Sequence, residues 1–363
     1  MSQEQPSPMT YAQAGVDIDA RARLVERIKE LAQSTRRPEV LADVGPFSGL
    51  FRLGQYRDPV LVASTDSVGT KVRIAALLGR YSSVGVDLVN HCVNDVLTTG
   101  AEPLFFLDYL ASSGLSDDAK AAIVQGVASA CQAVGCALLG GETADMPDFY
   151  GEGDFDLVGF VVGVVEREQL IDGSTIRAGD VLLGLPSSGL HTNGYSLVRR
   201  VFGVGLGGDP EEERARLNRP YPGLEGTLGE ALLAPHRCYY HELKAILGRV
   251  GAAREPPLLK GIAHITGGGL PGNVARILPQ GLAARFDKGS WPVQPIFRLI
   301  QERGNVAEEE MYRTFNMGLG MVVAVAPEDV EAVRAQVAEA LVVGEVVGGG
   351  MDEKRVIFVD EGA

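Results

Sequence analysis

Four short apolar runs in this chain are each followed at once by a segment rich in glycine and polar side chains. The polar segments span residues 65–71, 140–147, 187–194 and 264–273, two in each half of the chain. An apolar run bounded in this way is typical of a buried strand that ends in a loop. Because helical patterns separate the runs, the sequence predicts an α+β protein built of two α/β domains.

The length and charge of the chain limit its architecture and its partners. A chain of 363 residues is long enough for two domains of about 150 to 200 residues each. Its 47 acidic residues outnumber its 33 basic residues, which argues against nucleic acids or anionic membranes as main partners. The four cysteines include no C-x-x-C pair, and we expect neither a secretory signal nor a membrane span. A cytoplasmic setting with reduced, buried thiols is therefore expected.

The run Pro59–Ser64 leads into the densest of the polar segments. Residues 65–71 place a carboxylate on Asp66, a permissive glycine at Gly69, a hydroxyl on Thr70 and an amine on Lys71. A metal-bound polyphosphate requires these groups: oxygen ligands for Mg²⁺, backbone N–H groups that approach anionic oxygens, and a cation. The alternative interpretation is a helix N-cap followed by a lysine in solvent.

A second segment, Gly140–Pro147, repeats this arrangement after another apolar run. It contains Gly141, Glu142 and Thr143, so a glycine, a carboxylate and a hydroxyl again follow a predicted strand. Two such segments in one domain can converge on a single site for a metal ion and phosphate.

The helix predicted over residues 86–99 has an unusual polar face. Opposite its apolar side it carries only short polar residues, with no lysine or glutamate: Asp87, Asn90, His91, Asn94, Asp95 and Thr98. Gly100 gives this helix a natural stop. The composition of the face is unusual for a surface that simply meets solvent.

In the second half of the chain, Pro186–Gly194 precedes a helix predicted from Tyr195. Hydroxyl, imidazole and amide groups gather at the start of this helix, where a phosphate or a polar substrate is readily bound: Ser187, Ser188, His191, Thr192 and Asn193. A single histidine is more often structural. Because glycines flank this segment, we favour ligand contact for His191.

The last polar segment, His264–Asn273, contains three consecutive glycines at 267–269 directly before a helix predicted to reach Leu278. Consecutive backbone N–H groups in such a turn form a nest for an anion. His236 and His241 lie elsewhere, among tyrosines and leucines, and we interpret both as structural.

Residues Asp95–Pro103 fit the pattern D-x₄-G-A-x-P, and further segments carry the same resemblance. The chain resembles the aminoimidazole ribonucleotide synthetase family, also called phosphoribosylformylglycinamidine cyclo-ligase, from residue 11 to about residue 347. The similar segments are residues 14–19, 35–40, 92–95, 100–109, 140–144, 187–198, 264–269 and 310–316.

This resemblance implies a homodimer whose amino-terminal domains pair through their sheets. The apolar run Leu157–Val165 and the acidic residues after it place a domain boundary near residues 172 and 173. The resemblance implies that residues 1–172 form an ATP-binding and dimerisation domain and that residues 173–363 form a substrate-side α/β domain. The implied reaction is the ATP-dependent closure of formylglycinamidine ribonucleotide to aminoimidazole ribonucleotide, with release of ADP and phosphate, in purine biosynthesis. ATP would phosphorylate the formyl amide oxygen, and an amidine nitrogen would then displace phosphate.

Roles for individual residues follow from the polar segments and the resemblance together. We expect Asp66, Asp95 and Glu142 to hold Mg²⁺, and Lys71 to contact the transferring phosphate. The expected ATP site comprises Asp66, Gly69, Thr70, Lys71, Asp95, Gly100, Ala101, Gly141, Glu142 and Thr143. The expected substrate site comprises Ser188, His191, Thr192, Asn193, Thr266, Gly267, Gly268 and Gly269. The residues leave open whether His191 or His264 is the general base.

The chain departs from the family pattern at three places. Arg21 replaces a usual glycine, Gly45–Gly49 replaces a more glycine-rich loop, and His91 replaces a usual methionine. These departures concern loop motion and turnover, not the class of reaction.

Two other classes of function remain open at this point. One is a related small-molecule kinase or phosphotransferase, such as thiamine-monophosphate kinase or selenophosphate synthetase. The latter requires a reactive cysteine or selenocysteine in the amino-terminal glycine loop, whereas no cysteine precedes Cys92. The other is a non-enzymatic binding or maturation module, which would lack the acidic residues that this chain retains.

Overall fold

The computed structural model describes residues 18–42, 44–45, 47–248, 258–349 and 354–360. The chain start and residues 14–17 of the resemblance lie outside these ranges, as do Pro46 and the side chain of Arg21. Two separate sheets, one in each half, bear out the prediction of two mixed α/β units. Among the described residues, no helix is both long and apolar enough to cross a membrane.

The first sheet has four strands in the order β1-β4-β2-β3. Its strands are β1 (Pro59–Ser67), β2 (Glu102–Ser112), β3 (Ala137–Asp145) and β4 (Phe155–Glu166). β4 pairs antiparallel with β1 and β2, whereas β2 and β3 run parallel. β1 and β3 are therefore the two edges of the sheet.

One layer of helices packs against this sheet. It consists of α1 (Ile18–Gln33), α3 (Ser82–Leu97) and α4 (Asp117–Ala133), whereas α2 (Lys71–Leu78) packs against α3 and against helices of the second half. α3 and α4 approach closely because Gly85 and Gly126 face each other's backbones, where a Cβ at either position would collide with a carbonyl oxygen. Ser116 caps α4 by accepting a hydrogen bond from the Ala119 N–H at 3.3 Å.

The other face of the first sheet carries exposed apolar side chains. Leu61 of β1 is 61% exposed, and Phe160 of β4 and Tyr109 of β2 are each 39% exposed. Strand register places these three residues on the face opposite α3 and α4. We call this surface the outer face.

The second sheet has six strands in the order β10-β7-β9-β5-β8-β6. The strands are β5 (Val181–Pro186), β6 (Leu259–His264), β7 (Leu282–Asp287), β8 (Leu319–Val325), β9 (Leu341–Gly348) and β10 (Val356–Val359). Every residue of β8 is buried, so this strand forms the centre of the second core.

Eight helices of the described chain accompany the second sheet. They are α5 (Tyr195–Phe202), α6 (Pro210–Leu217), α7 (Leu228–Leu232), α8 (Tyr240–Leu247), α9 (Gly269–Ile277), α10 (Pro295–Gly304), α11 (Glu308–Thr314) and α12 (Val330–Gln336). Although α6 is rich in charged residues, its Glu213 is buried and accepts three backbone hydrogen bonds from residues 205–208.

Two predicted loops prove to be strands. Asp66 lies within β1, and residues 140–145 continue β3, paired with β2 as far as Asp145. Glycine and carboxylate side chains did not end these strands because neighbouring backbones on the same sheet extend the hydrogen-bonded ladder past them.

Candidate active site

Side chains on the polar face of α3 form hydrogen bonds with a backbone segment of the second half. Asp87 accepts a hydrogen bond from the His236 N–H at 2.6 Å, and Asn90 donates to the His236 carbonyl at 2.7 Å. Asn94 accepts from the Tyr239 N–H at 2.9 Å and donates to the carbonyl of residue 237 at 2.8 Å. The absence of long charged residues from this face is thereby explained, because the face meets protein rather than solvent.

Lys71 forms a second link between the halves and is fully buried. Its Nζ lies 2.8 Å from Asp87 Oδ2 and donates to the carbonyls of Ala234 at 2.8 Å and His191 at 3.1 Å. Burial lowers the pKa of Lys71 and raises that of Asp87, while each charge favours the charged form of its partner. An ammonium has three donors, and all three are in use. The expectation that Lys71 contacts the transferring phosphate is therefore corrected.

Four of the five histidines meet at this junction. His91 comes from α3, His191 from the loop before α5, His236 from the segment before α8, and His264 from the end of β6. The rings of His191 and His236 stack with centroids 4.0 Å apart. The ring centroids of His91, His236 and His264 lie 5.2 to 5.3 Å from one another. All four side chains are buried. His236, interpreted from sequence as a structural residue, is thus central to the site, while His241 lies outside it and is exposed.

Two carboxylates hold the cluster from the side of the first domain. Asp66 Oδ2 lies 2.9 Å from His91 Nε2, and Asp95 Oδ1 lies 2.8 Å from His264 Nδ1. Burial alone would raise the pKa of each carboxyl, but the hydrogen bond and charge of its histidine outweigh burial and lower the pKa. Ser64 adds a hydrogen bond to Asp95 Oδ2 at 2.8 Å. Both carboxylates remain partly exposed, at 41% for Asp66 and 30% for Asp95.

The histidines differ in their protonation preferences. Burial opposes the charge of His91, but Asp66 outweighs burial and raises the pKa of this imidazole. Burial and neighbouring cationic groups hold the pKa values of His191 and His236 well below 6.5. Burial also lowers the pKa of His264, against the opposing effect of Asp95. The site therefore combines three imidazoles that favour the neutral form with one, His91, whose charged form is favoured by the carboxylate of Asp66.

The predicted substrate residues converge beside the cluster. Thr192 Oγ1 lies 2.9 Å from His91 Nδ1 and 3.3 Å from His236 Nδ1. Asn193 approaches Gly267, and its buried amide nitrogen has no hydrogen-bond partner among the described residues. The Ser188 hydroxyl instead donates to the Pro235 carbonyl at 2.5 Å. Thr192 and Asn193 are thus better placed than Ser188 to contact a ligand.

The triple glycine forms the start of α9, as predicted. Gly268 adopts φ 97° and Gly269 φ 60°, and a Cβ at Gly269 would collide with the Tyr312 carbonyl oxygen. The Asn273 side chain fixes the turn by donating to the carbonyls of Thr266, Gly267 and Gly269. On the near side of the turn, a cavity of about 250 Å³ is lined by residues that include Asp95, Thr98, His264, Thr266, Asn273 and Arg276.

Glu142 lies away from the other two carboxylates, which corrects the expectation of a three-carboxylate metal site within one chain. It pairs with Tyr109 and therefore projects from the outer face of edge strand β3, whereas Asp66 projects from the helix side of edge strand β1. Three strand spacings separate the edges, or roughly 14 Å. Gly141 and Thr143 face the helices and line a separate cavity of about 190 Å³ under α1.

The other residues predicted to bind ATP differ in their surroundings. Gly69 adopts φ 66° with open space around its Cα, and Thr70 Oγ1 lies 3.4 Å from Ser196 Oγ of the second half. Gly100 adopts φ 80° and packs against Ile171, and Ala101 is buried. The glycine and alanine of D-x₄-G-A-x-P thus form the turn from α3 into β2, while Asp95 lines the cavity beside His264.

Comparisons with known proteins match both halves of the chain. Residues 49–165 match the model described as "AIR synthase related protein, N-terminal domain", and residues 177–357 match that of the corresponding C-terminal domain. A phosphoribosylformylglycinamidine cyclo-ligase of Geobacillus thermodenitrificans is 51% identical over 345 residues, covering 93% of this chain and 96% of the relative. The Sorangium cellulosum enzyme of the same name is 51% identical over 357 residues, covering 96% and 99%.

Solved structures share the fold at low sequence identity. A hydrogenase maturation protein HypE in complex with ATP has a TM-score of 0.65 at 16% identity, covering 94% of this chain and 92% of HypE. A thiamine-monophosphate kinase from Stenotrophomonas maltophilia has a TM-score of 0.58 at 19% identity, covering 94% and 96%. At these identities the likeness concerns the fold alone.

Proposed function

The chain belongs to the AIR synthase related family and is an ATP-dependent cyclo-ligase of purine biosynthesis, and we propose that its reaction takes place where α3 meets the buried histidines. The substrate is formylglycinamidine ribonucleotide. Its formyl amide oxygen is phosphorylated by ATP, an amidine nitrogen attacks the same carbon, and phosphate leaves as the imidazole ring closes. The observation that carries this placement is the pairing of Asp95 with His264, which joins the two halves at a cavity.

Asp66 and Asp95 would hold Mg²⁺. Both are partly exposed, and both have lowered pKa values and so remain charged. The negative charge of Asp95 opposes the lowering of the Asp66 pKa, which indicates that the two carboxylates lie near each other. Each carboxylate oxygen can accept more than one interaction, so their contacts with histidines do not prevent metal ligation. The bound ion would neutralise charge on the transferring phosphate.

His264 would take the proton that the attacking amidine nitrogen loses. Asp95 accepts the Nδ1–H of His264 and orients the ring, and a lowered pKa keeps His264 neutral near pH 7. His191 is less suited to this role because its Nε2 accepts the Ser188 N–H at 3.2 Å and its ring does not line the cavity. We therefore assign His191 to positioning the loop that carries Thr192 and Asn193.

Thr192, Asn193 and Thr266 would orient the substrate amide and amidine, and the turn at residues 267–269 would receive a phosphate. The unpartnered amide nitrogen of Asn193 supports this role, because a buried donor without an acceptor is costly unless a ligand supplies one. Gly69 and Thr70, at the start of α2, would approach the ATP phosphates.

The active form would be a cytoplasmic homodimer joined through the outer face. The exposed side chains of Leu61, Phe160 and Tyr109 support this pairing, because an apolar sheet surface gains stability when another sheet covers it. Glu142 would then lie at or near the interface.

The decisive test is aminoimidazole ribonucleotide formation from formylglycinamidine ribonucleotide and Mg-ATP, with the wild type beside Asp66→Asn and His264→Ala. Product from the wild type and loss of rate in both variants are expected, while His241→Ala, at an exposed position outside the site, keeps its rate. ATP turnover without product from the folded wild type would contradict ring closure. Full activity in His264→Ala would contradict the proposed site.

A further inference from the structure

His91 contacts one residue from each half of the chain. Its Nε2 lies 2.9 Å from Asp66 Oδ2, and its Nδ1 lies 2.9 Å from Thr192 Oγ1. Asp66 belongs to β1 of the first half, whereas Thr192 lies in the loop before α5 of the second half. One imidazole therefore joins a carboxylate assigned to Mg²⁺ with a hydroxyl assigned to the substrate.

The ring of His91 is held in place from several sides. The side chain is buried, and its ring centroid lies 5.2 Å from that of His236 and 5.3 Å from that of His264. Three positions further along α3, Asn94 hydrogen-bonds to the backbone of the second half and so fixes the helix beside the ring. In such close packing the imidazole cannot turn away from its two partners without displacing its neighbours.

Both contacts of His91 are available in either protonation state of the imidazole. A carboxylate can only accept, so Nε2 carries a proton toward Asp66 whether the ring is neutral or charged. The Thr192 hydroxyl can donate to a bare Nδ1 or accept from an Nδ1–H. The link between the two halves therefore depends on the positions of the two ring nitrogens and not on the charge of the ring.

The Thr192 hydroxyl has a second protein partner, His236. The Asn94 amide is oriented by the Tyr239 N–H and a backbone carbonyl, so its nitrogen donates to His236 Nε2 at 3.2 Å and leaves the proton of His236 on Nδ1. This Nδ1–H lies 3.3 Å from Thr192 Oγ1, which accepts it. A hydroxyl has one donor and two acceptor positions, and His91 and His236 use two of the three. One position therefore remains for a substrate, and its direction is set by the two histidines.

His91 stands where methionine is usual in the family. A thioether is at most a weak acceptor and donates nothing, so methionine cannot join a carboxylate to a hydroxyl. The His91 link is therefore not a general requirement of ring closure. It adds a connection between the two sites that a chain with methionine at this position lacks.

We propose that His91 is a positioning residue that couples the binding of Mg-ATP to the binding of the substrate, an inference that rests on the proposed roles of Asp66 and Thr192. The Asp66 carboxylate, once it ligates Mg²⁺, holds the His91 ring in one orientation, and the ring holds the Thr192 hydroxyl. A substrate that binds after Mg-ATP finds this hydroxyl already oriented, so its affinity rises. By thermodynamic linkage, the substrate raises the affinity for Mg-ATP by the same factor.

The coupling is tested without turnover, by calorimetric titration of formylglycinamidine ribonucleotide into the full chain. Each titration is run with and without Mg²⁺ and an ATP analogue whose β,γ-bridging oxygen is replaced by NH. We expect the wild type to bind the substrate at least about fivefold more tightly when the analogue is present. His91→Met should bind the substrate with the same affinity in both conditions. Equal coupling in the wild type and His91→Met would overturn the proposal.

The wild-type titrations separate this inference from the proposed function. Binding of both ligands to the wild type without coupling would overturn the inference and leave the proposed function standing. Failure of the folded wild type to bind either ligand would overturn both.

Two further variants locate the link. His241→Ala removes the exposed histidine outside the cluster and should keep the wild-type coupling. If His91→Met does not fold, Thr192→Val breaks the same link at its other end, and it should bind the substrate more weakly in both conditions and without coupling. Coupling kept in Thr192→Val, or lost in His241→Ala, would show that the link does not run through His91 and would overturn the proposal.

Discussion

Asp87 and Asp95 lie on the same face of the same helix, yet their surroundings are opposite. Asp87 is fully buried, paired with Lys71 and hydrogen-bonded to the His236 N–H, and burial raises its pKa. Asp95 is 30% exposed, and its pKa is lowered despite burial because His264 and Ser64 stabilise the carboxylate. Two turns of α3 thus separate a carboxylate that joins the two halves from one that adjoins a cavity.

This difference shows how one helix face can serve two purposes. At the Asp87 end, every polar group has a protein partner, so the contacts fix the positions of the two halves. At the Asp95 end, partial exposure leaves oxygen lone pairs available to a ligand. Four predictions test this division, beginning with the largest expected effect.

Lys71→Met should be the most damaging change, because it leaves the Asp87 carboxylate buried without its cation. We expect the free energy of unfolding to fall by about 3–5 kcal/mol, as is typical when one partner of a buried ion pair is removed. Urea unfolding monitored by circular dichroism measures the loss. The double variant Lys71→Met with Asp87→Leu should recover part of it, and a single variant as stable as the wild type would show that the pair does not hold the halves together.

Asp95→Asn should chiefly affect turnover. Removing the charge that orients His264 is expected to lower kcat by about 100-fold, within the usual range for acid–base catalysis, while the unfolding midpoint changes little. Steady-state ring-closure kinetics beside urea unfolding separate the two effects. If Asp95→Asn destabilised the fold as strongly as Lys71→Met, the proposed division of α3 would be wrong.

Acidification should weaken the histidine cluster. His191 and His236 have folded pKa values well below 6.5, so below this pH the unfolded chain binds protons that the folded chain does not. Stability present above about pH 6.5 is therefore lost as pH falls, by up to about 1.4 kcal/mol per pH unit for each such histidine. His91, whose pKa is raised, has the opposite sign, and its contribution is lost as pH rises through its folded pKa.

The measurement is urea unfolding at about pH 7 and about pH 5.5 for the wild type and His236→Gln. The variant should lose less stability on acidification, since it lacks one of the neutral buried imidazoles. Equal losses in both proteins would indicate that His236 is protonated in the fold.

Ser64→Ala should have the smallest effect. It removes one hydrogen bond to Asp95 Oδ2, worth about 1 kcal/mol, and should reduce kcat roughly fivefold without altering the fold. Ring-closure kinetics provide the measurement, with Ser83→Ala, a half-buried serine in the first turn of α3, as the control. A rate loss as large as that of Asp95→Asn would mean that Ser64 contacts the substrate directly.

The sequence predicted those features of the fold that depend on residues adjacent in the chain. The helix start at the triple glycine and the end of α3 before Gly100 follow from backbone freedom at glycine. The odd composition of α3 also pointed to its role, since only a face that meets protein can dispense with long charged side chains.

The position of Glu142 depends on a feature that the sequence does not reveal. The ladder between β2 and β3 shifts register at Phe106, so that Leu138 pairs with Phe106 but Gly140 pairs with Leu107. A shift of one residue reverses the face of every later side chain. Without the shift, Glu142 would face the helix layer.

His236 was missed for a different reason. Nothing in the residues beside it indicates a site, because its partners are residues 94, 192 and 264, which are distant in sequence. Lys71 was misassigned because a lysine in a glycine and hydroxyl segment is usually read as a phosphate ligand. Its burial depends on Asp87 and on backbone carbonyls of the second half.

The hydrogen bonds between residues 234–239 and α3 determine how the two halves can move relative to each other. Through Lys71, Asp87, Asn90 and Asn94, this segment would travel with the first half, although it belongs to the second half of the sequence. The pair between Asp95 and His264 is a further contact across the same boundary, because it joins α3 to the end of β6. A movement of the second half relative to this segment would therefore have to break that pair.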